Sequence, residues 1–371
     1  MCIVHDWFQG FHGSERVVHR LITEVFSDAG TVDVLTFHAA HDLLPPELAR
    51  RIVGESRLAA LPGIRQVGHD RGRWRYLLPY MPRYFRSLDL GSYDLVVASS
   101  HACALHANPP PRVPYLCYCH TPMRYAWLSQ TERGRRSGAG GAGLRFASGW
   151  LRRVDSRAAS RPDRFAANST AVRDRIARFY DRDAEVVHPP VAVDDLAPGE
   201  KPQQPSFLWV NRLVPYKRPE LVVQAFRDLP YQLTMVGLGP LQDRLRATLP
   251  PNVELLGWIP RRRLAELYAQ ATGFIHVGEE DFGLATVEAL ASGTPVIAPR
   301  FGGALDIVRD GVDGVLIESA TVAGVQAGIR RLLAAEWDPE RLVTRAADFS
   351  PAVFSAKIRH LLEQTMAGAG A

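Results

Sequence analysis

Gly278-Glu279-Glu280-Asp281-Phe282-Gly283-Leu284-Ala285-Thr286-Val287-Glu288-Ala289-Leu290-Ala291-Ser292-Gly293-Thr294-Pro295 is the stretch on which the reading of this chain turns. The mostly apolar run 273–277 ahead of it predicts a short buried strand, and 295–298 behind it predicts another. Leu284 to Ala291 holds mainly helix formers and no breaker, so a helix is predicted there. The order is strand, acidic loop, helix, strand. Gly283, where the helix opens, lets a ligand come close to the backbone.

Two carboxylates frame that helix start. Glu280 lies in the loop, and Glu288 lies about one turn inside, among Leu284, Val287 and Ala291 on one helical face. A carboxylate on an apolar stripe is costly unless something binds it. The amides of Phe282, Gly283 and Leu284 are expected to point out of the helix N-terminus, where an anion is favoured. A ligand carrying both phosphate and hydroxyls satisfies this set. The alternative is that Glu288 pairs with a buried arginine and Glu280 is solvated.

Working outward, Asn211-Arg212-Leu213-Val214-Pro215-Tyr216-Lys217-Arg218-Pro219 falls between a predicted strand (206–210) and a predicted helix (219–227). Arg212 and Lys217 would stand at the strand's carboxyl end. Lys217 is one of three lysines in the chain, and a compact ammonium there suits phosphate oxygens. A strand over 232–236, closed by Gly237-Leu238-Gly239-Pro240, a strand over 253–256 and a helix over 264–270 lead into the opening stretch. A strand over 314–317 and a helix over 322–334 follow it. The segment 351–366 has a helical pattern and is expected to pack back on the first part of the chain.

The N-terminal half repeats the architecture. A strand over 1–4, a loop with Gly10 and Gly13, an amphipathic helix over 15–26 and a strand over 31–37 open a doubly wound α/β domain. The glycines do not make a dinucleotide fingerprint. Predicted strands over 94–98 and 115–118 end at His101 and His120, where parallel sheets hold ligands, although a histidine satisfied by backbone is the alternative for each. Pro45 to Arg86, with Arg71, Arg73, Trp74, Arg75, Tyr76, Tyr80, Tyr84 and Phe85, is either helices wrapping an edge or a face for a partner. The glycine- and arginine-rich run 133–143 reads as a surface loop, followed by a helix over 149–160. A strand over 163–167, a helix over 170–180 and a strand over 184–187 complete the half. Prolines 189, 190, 198, 202 and 205 mark the domain boundary.

At 371 residues the chain has room for two domains. No apolar run approaches the roughly 20 residues that span a bilayer, and the N-terminus lacks the basic and apolar regions of a signal peptide. The four cysteines, Cys2, Cys103, Cys117 and Cys119, lack the spacing of a zinc site and read as reduced, which implies a cytoplasmic protein. Residues 1–200 hold 26 Arg and no Lys against 21 acidic residues, whereas the remainder is balanced at 18 of each sign. The excess suits an anionic partner, such as the inner face of a membrane, and equally suits GC-rich codon usage. No nucleic-acid-binding signature is present.

These residues resemble a family. Glu280-x7-Glu288 with Phe282-Gly283-Leu284, the Arg212 to Lys217 segment and the proline hinge are similar to the retaining glycosyltransferases of family 4, with the GT-B fold. His5-Asp6-Trp7, the run from Tyr118 to Trp127 and Arg164-Phe-Ala-Ala-Asn168-Ser169 resemble a bacterial subgroup assigned as GDP-mannose-dependent mannosyltransferases. The resemblance implies two Rossmann-like domains facing across a cleft: 1–196 for the acceptor, 203–350 for the nucleotide sugar, and 351–371 as C-terminal helix and tail.

It also implies roles. Glu280 would hold hydroxyls of the donor sugar and Glu288 the nucleotide ribose. Arg212 and Lys217 would neutralise the diphosphate, and Phe282, Gly283 and Leu284 would offer amides. His120 would sit near the reacting sugar. Gly13 would let its loop approach the diphosphate, although His12-Gly13-Ser14 stands where many relatives have adjacent glycines. Enzymes of this kind use no metal or other cofactor, and no Asp-x-Asp ends a predicted strand. The expected reaction moves a hexose, best read as mannose from GDP-mannose, to a hydroxyl acceptor, with lipid-linked saccharides among the open choices. An epimerase or hydrolase of the same fold and a non-catalytic assembly subunit are the alternatives.

Overall fold

A computed structural model describes residues 1–61, 77–127 and 139–369. The chain divides into two compact units. One comprises Met1–Pro190 with the chain from Ala352 onward, and the other Val191–Pro351.

The first unit is built on a parallel seven-stranded sheet. Its strands are β1 (Cys2–His5), β2 (Asp33–Thr36), β3 (Ile52–Glu55), β4 (Val96–Ser100), β5 (Tyr115–Cys119), β6 (Arg164–Ala167) and β7 (Glu185–Val186), in the order β3-β2-β1-β4-β5-β6-β7. β1, β4 and β5 are buried at every residue, as parallel strands covered on both faces must be. Their period of two divides the core. Cys2, Val4, Val96, Ala98, Tyr115 and Cys117 pack on one side, and Ile3, Val97, Leu116 and Tyr118 on the other. The second side receives Val17, Val18, Leu21, Ile22 and Val25 from the first helix, and Phe354, Ile358, Leu361 and Leu362 from the helix Pro351–Ala369. The last helix therefore does pack back on the first unit. The first helix runs Gly13–Arg20 and widens over Leu21–Val25, where the Phe26 amide donates to Leu21 O at 2.9 Å.

Two expectations are corrected here. The helix expected from 149 begins at Ala139, so Gly140, Gly141 and Gly143 are helical. Glycine disfavours a helix by about 1 kcal/mol, so composition hid these turns. Residues 133–138 of the expected loop lie outside the described residues. Within 45–86 there is a strand, β3, as well as the helices Pro46–Ala49 and Met81–Arg86. Arg71, Arg73, Trp74, Arg75 and Tyr76 lie outside the described residues.

The second unit carries a parallel six-stranded sheet: β8 (Ser206–Val210), β9 (Gln232–Val236), β10 (Val253–Gly257), β11 (Gly273–Ile275), β12 (Val296–Pro299) and β13 (Gly314–Ile317). The order is β10-β9-β8-β11-β12-β13. The helix Leu284–Ala291 forms over the residues predicted for it, and the helix Pro339–Ala347, missed by the sequence reading, starts on an Asp338 carboxylate that accepts the Glu340 and Arg341 amides.

In each sheet the strand order reverses at one place: between β1 and β4 in the first unit, and between β8 and β11 in the second. Connections leave to opposite faces there, so a crevice opens beyond the carboxyl ends of the two strands. The residues at or beyond those ends are His5, which closes β1, and Asp6 with His101, and Asn211 to Lys217 with His276 to Gly283.

Candidate functional site

In the second unit, the loop after β8 is held by the glycine turn after β9. The Leu213 amide donates to Leu238 O at 2.9 Å, and Leu241 donates back to Leu213 O at 3.2 Å. A Cβ at Gly239 would lie 2.5 Å from Leu213 O, so only glycine admits this crossing. The loop ends in a short 3-10 turn, Pro215–Lys217, and Arg218 enters the next helix with φ 53°. Tyr216 sits between Arg212 and Lys217. Its hydroxyl accepts from Arg212 Nη2 at 2.8 Å, and Lys217 Nζ stands 5.2 Å from its ring centre.

The ammonium of Lys217 is buried and forms an ion pair with Glu280 Oε1. His276, fully buried, places Nδ1 4.0 Å from the same oxygen. Burial raises the Glu280 carboxyl, but Lys217 and His276 outweigh it and hold the group below its ordinary range. Burial dominates at His276 and lowers its pKa to about 4, so the ring is neutral at pH 7. The backbone makes this cluster close. A Cβ at Gly278 would meet Lys217 Cα at 3.0 Å.

From Glu280 the chain turns onto the helix. Gly283 has φ 116° and ψ 64°, in the left-handed region, and no side chain caps the helix. Gly303 lies against this loop: its amide donates to Glu280 O at 3.0 Å, and a Cβ there would fall 2.3 Å from Phe282 Cα. Phe282 itself is buried against Phe349, with ring centres 5.4 Å apart. Leu284 opens the helix. In its first turn Thr286 is buried, and its hydroxyl has no hydrogen-bond partner among the described residues.

Glu288 is held by the protein's own side chains. Arg261 Nη1 donates to Oε1 at 2.8 Å, and the Tyr268 hydroxyl donates to Oε2 at 3.0 Å. Arg261 also grips Asp195 with two donors, at 2.7 and 2.9 Å. The structure thus brings Arg212, Lys217, Glu280, Phe282, Gly283 and Leu284 to one strand-end cluster, while Glu288 reaches into a separate Arg261–Tyr268 network.

In the first unit, His120 follows β5 and Gly13 begins the first helix. Glu15 Oε2 accepts from the His12 amide at 3.2 Å and the Ser14 hydroxyl at 3.1 Å, which fixes the loop around Gly13. Asp6, fully buried, accepts the backbone amides of His101, Ala102, Cys103 and Ala104. That carboxylate shapes the turn after β4. His120 is 9% exposed, and its Nε2 lies 2.8 Å from Ser99 Oγ. Burial, then His101 and His5, hold its pKa well below the usual value.

Residues the sequence reading did not single out include His276, Ser99, Arg261, Tyr268 and Gly303. Gly303 had a visible signal, the pair Gly302-Gly303 just past a strand. Arg261 and Tyr268 had none, because their partner lies on a helix distant in sequence.

With this geometry in hand, the comparisons with known proteins fall into place. Residues 11–195 match the model of Glycosyltransferase Family 4, and residues 194–349 match that of Glycosyl transferases group 1. The two matches together run through both sheets, and the chain belongs to the family 4 glycosyltransferases. The D-inositol 3-phosphate glycosyltransferase of Mycobacterium sp. (strain KMS) is 31% identical over 188 residues, which covers 43% of this chain and 42% of that protein. The chain thus matches less than half the length of such curated relatives. Among solved structures, sucrose-phosphate synthase from Thermosynechococcus elongatus superposes with a TM-score of 0.72 at 20% identity, covering 99% of this chain and 100% of that one. Anabaena HepE in complex with UDP and glucose gives 0.68 at 18% identity, covering 98% and 99%. These likenesses establish the GT-B fold.

Among the described residues, no group of His, Cys, Asp and Glu is arranged to hold a metal ion, and no helix is long and apolar enough to cross a membrane.

Proposed function

We propose that the protein is a retaining glycosyltransferase that takes a hexose from a nucleotide sugar and delivers it to a hydroxyl acceptor. The observation that carries this reading is the Lys217–Glu280 pair at the β8/β11 switch point, beside Arg212 and a helix opened by Gly283. The leaving group is a nucleoside diphosphate. Its growing charge is stabilised by Arg212, Lys217 and the amides around Phe282, Gly283 and Leu284. Glu280, kept ionised by its neighbours, accepts from sugar hydroxyls. The bond between the anomeric carbon and the diphosphate's bridging oxygen breaks as the acceptor oxygen bonds to that carbon from the same face, and the acceptor's proton passes to the departing phosphate oxygen. Fixed cations serve the leaving group, so no metal is required. His120 and Gly13 act on the sugar and acceptor side.

GDP-mannose is the donor favoured by the sequence resemblance, and the UDP complex of HepE makes UDP-glucose the first competitor. The relatives acting on D-inositol 3-phosphate favour a phosphorylated polyol as one acceptor to test beside lipid-linked saccharides. A screen of GDP-, UDP- and ADP-sugars with those acceptors, read by mass spectrometry, is the test. Product with a retained anomeric configuration is expected. Donor loss without acceptor would favour a hydrolase or epimerase, and no turnover with any pair would favour an assembly subunit.

A further inference from the structure

His120 directly follows β5 and lies beside Ser99 of β4, and Ser99 in turn touches His5 of β1, so three neighbouring strands bring one hydroxyl and two imidazoles into line. His5 Nδ1 lies 3.0 Å from Ser99 O and 3.1 Å from Ser99 Oγ, while Ser99 Oγ lies 2.8 Å from His120 Nε2. All three residues are buried.

The proton positions follow from donor and acceptor chemistry. A carbonyl oxygen only accepts, so His5 Nδ1 must carry the hydrogen. His5 is neutral at pH 7, because burial lowers its pKa to about 4, so its Nε2 is bare; that atom is buried without a hydrogen-bond partner. A bare imidazole nitrogen tolerates this better than an orphaned N–H. The Ser99 hydroxyl has one hydrogen, and among the described residues its side-chain oxygen meets only the two imidazoles. His5 donates, so the Ser99 hydrogen must go to His120 Nε2. If His120 donated there instead, the buried hydroxyl hydrogen would have no acceptor.

We propose that Ser99 is a positioning residue that locks His120 in the neutral Nδ1–H tautomer, so that the ring meets a ligand only as a hydrogen-bond donor through Nδ1. In this form Nε2 is committed to Ser99 and cannot act as a base. An oxygen acceptor, such as a sugar hydroxyl oxygen, is the chemistry Nδ1–H recognises. The tautomer assignment stands on the first unit alone, and only its kinetic consequence rests on the transferase reading above.

The test is long-range 1H–15N correlation on the full-length protein labelled with 15N-histidine, with the His120 signals assigned from the His120→Asn variant. Wild type should show Nδ1 protonated and Nε2 bare. A protonated Nε2 in wild type overturns the proposal, and this arm needs neither a variant that perturbs Ser99 nor a substrate. Ser99→Ala should shift the His120 signals toward the other tautomer, and Ser99→Thr, which keeps the hydroxyl, should restore them. Unchanged signals in Ser99→Ala also overturn it. With the donor and acceptor found in the screen, Ser99→Ala should lower kcat about tenfold, the factor of one ordinary hydrogen bond, with KM little changed and recovery in Ser99→Thr. A shifted tautomer with wild-type kcat would remove the catalytic consequence and leave the tautomer assignment in place.

Discussion

Glu280 and Lys217 bear the heaviest demands in the second unit, because each neutralises the other in a largely buried setting, with side chains 18% and 9% exposed. Glu280→Gln removes the charge with little change in shape. It should cut transfer by roughly 100-fold, the cost typical of losing one electrostatic contact to the reacting centre, while donor binding falls less. Lys217→Ala should weaken both, because on the proposed reading it removes a cation meant for the diphosphate, and it takes the paired ammonium from Glu280. Steady-state kinetics beside calorimetric donor titration separates the two patterns, and wild-type turnover in either variant would remove that residue from the site. Protonation supplies a second test. His5 and His276, both lowered to about 4 by burial, stay neutral in the folded chain while their unfolded forms titrate near 6.5. The unfolded state thus binds more protons between those values, and stability rises with pH across that window. Summed over that whole window, each histidine contributes on the order of 3 kcal/mol. The depressed Glu280 carboxyl acts in the same sense: its contribution is present above the ordinary carboxylate range and is lost as pH falls through its lowered value. Denaturant unfolding at pH 5 and pH 7 should show the protein weaker at pH 5, with a smaller difference in His276→Asn. At this scale the sequence made Glu280, Lys217, Arg212 and Gly283 visible, since chemistry-bearing residues crowd two short loops. Glu288 shows its limit. Spacing placed it on an apolar face, but only the fold reveals that Arg261 and Tyr268 occupy both its oxygens.

Between elements, backbone closeness sets the geometry. The loop ahead of the helix Leu284–Ala291 lies on Gly303 with no room for a methyl group. Gly303→Ala must push that loop outward, which should cost about 1–3 kcal/mol of stability and weaken donor binding together. Thermal unfolding with donor titration checks both, and an unshifted loop would appear as unchanged affinity. Arg261→Ala breaks the tie between the helix Arg261–Gln270, Glu288 and Asp195. Because Glu288 is buried and keeps only Tyr268 of these two partners, a loss of about 2–3 kcal/mol is expected in denaturant unfolding. Regular elements were legible where periodicity was strong: Thr170–Tyr180, Leu284–Ala291 and Ser206–Val210 stand where the pattern put them. The part of Ala139–Ala158 before Gly149 was not, because its glycines carry no helical signal, and β3 was not, because its four residues lie among arginines and prolines.

At the level of the whole molecule, two parallel sheets with reversed strand order define the fold class, and both were legible from alternating strand and helix patterns. Nucleoside diphosphates provide the global test of the donor assignment. At 100 times its Kd, a ligand that binds only the folded chain adds about 2.7 kcal/mol, so GDP or UDP should raise Tm visibly, and silence from GDP, UDP and ADP alike would count against a donor site. Deleting residues 351–371 should strip Phe354, Ile358, Leu361 and Leu362 from the first core. At roughly 1.5–3 kcal/mol each, the loss is comparable to the whole stability of an ordinary domain, about 5–15 kcal/mol, so the first unit should lose cooperative unfolding in calorimetry. That same crossing of the chain bears on biosynthesis. The ribosome finishes the first sheet early, yet the helix that seals its second face emerges only after the entire second unit has been made. At common elongation rates the delay is roughly 8–30 s. Through that interval the nascent first unit carries an uncovered greasy seam, so its yield in a cell should depend on holding factors and translation speed more than on the folded protein's own stability.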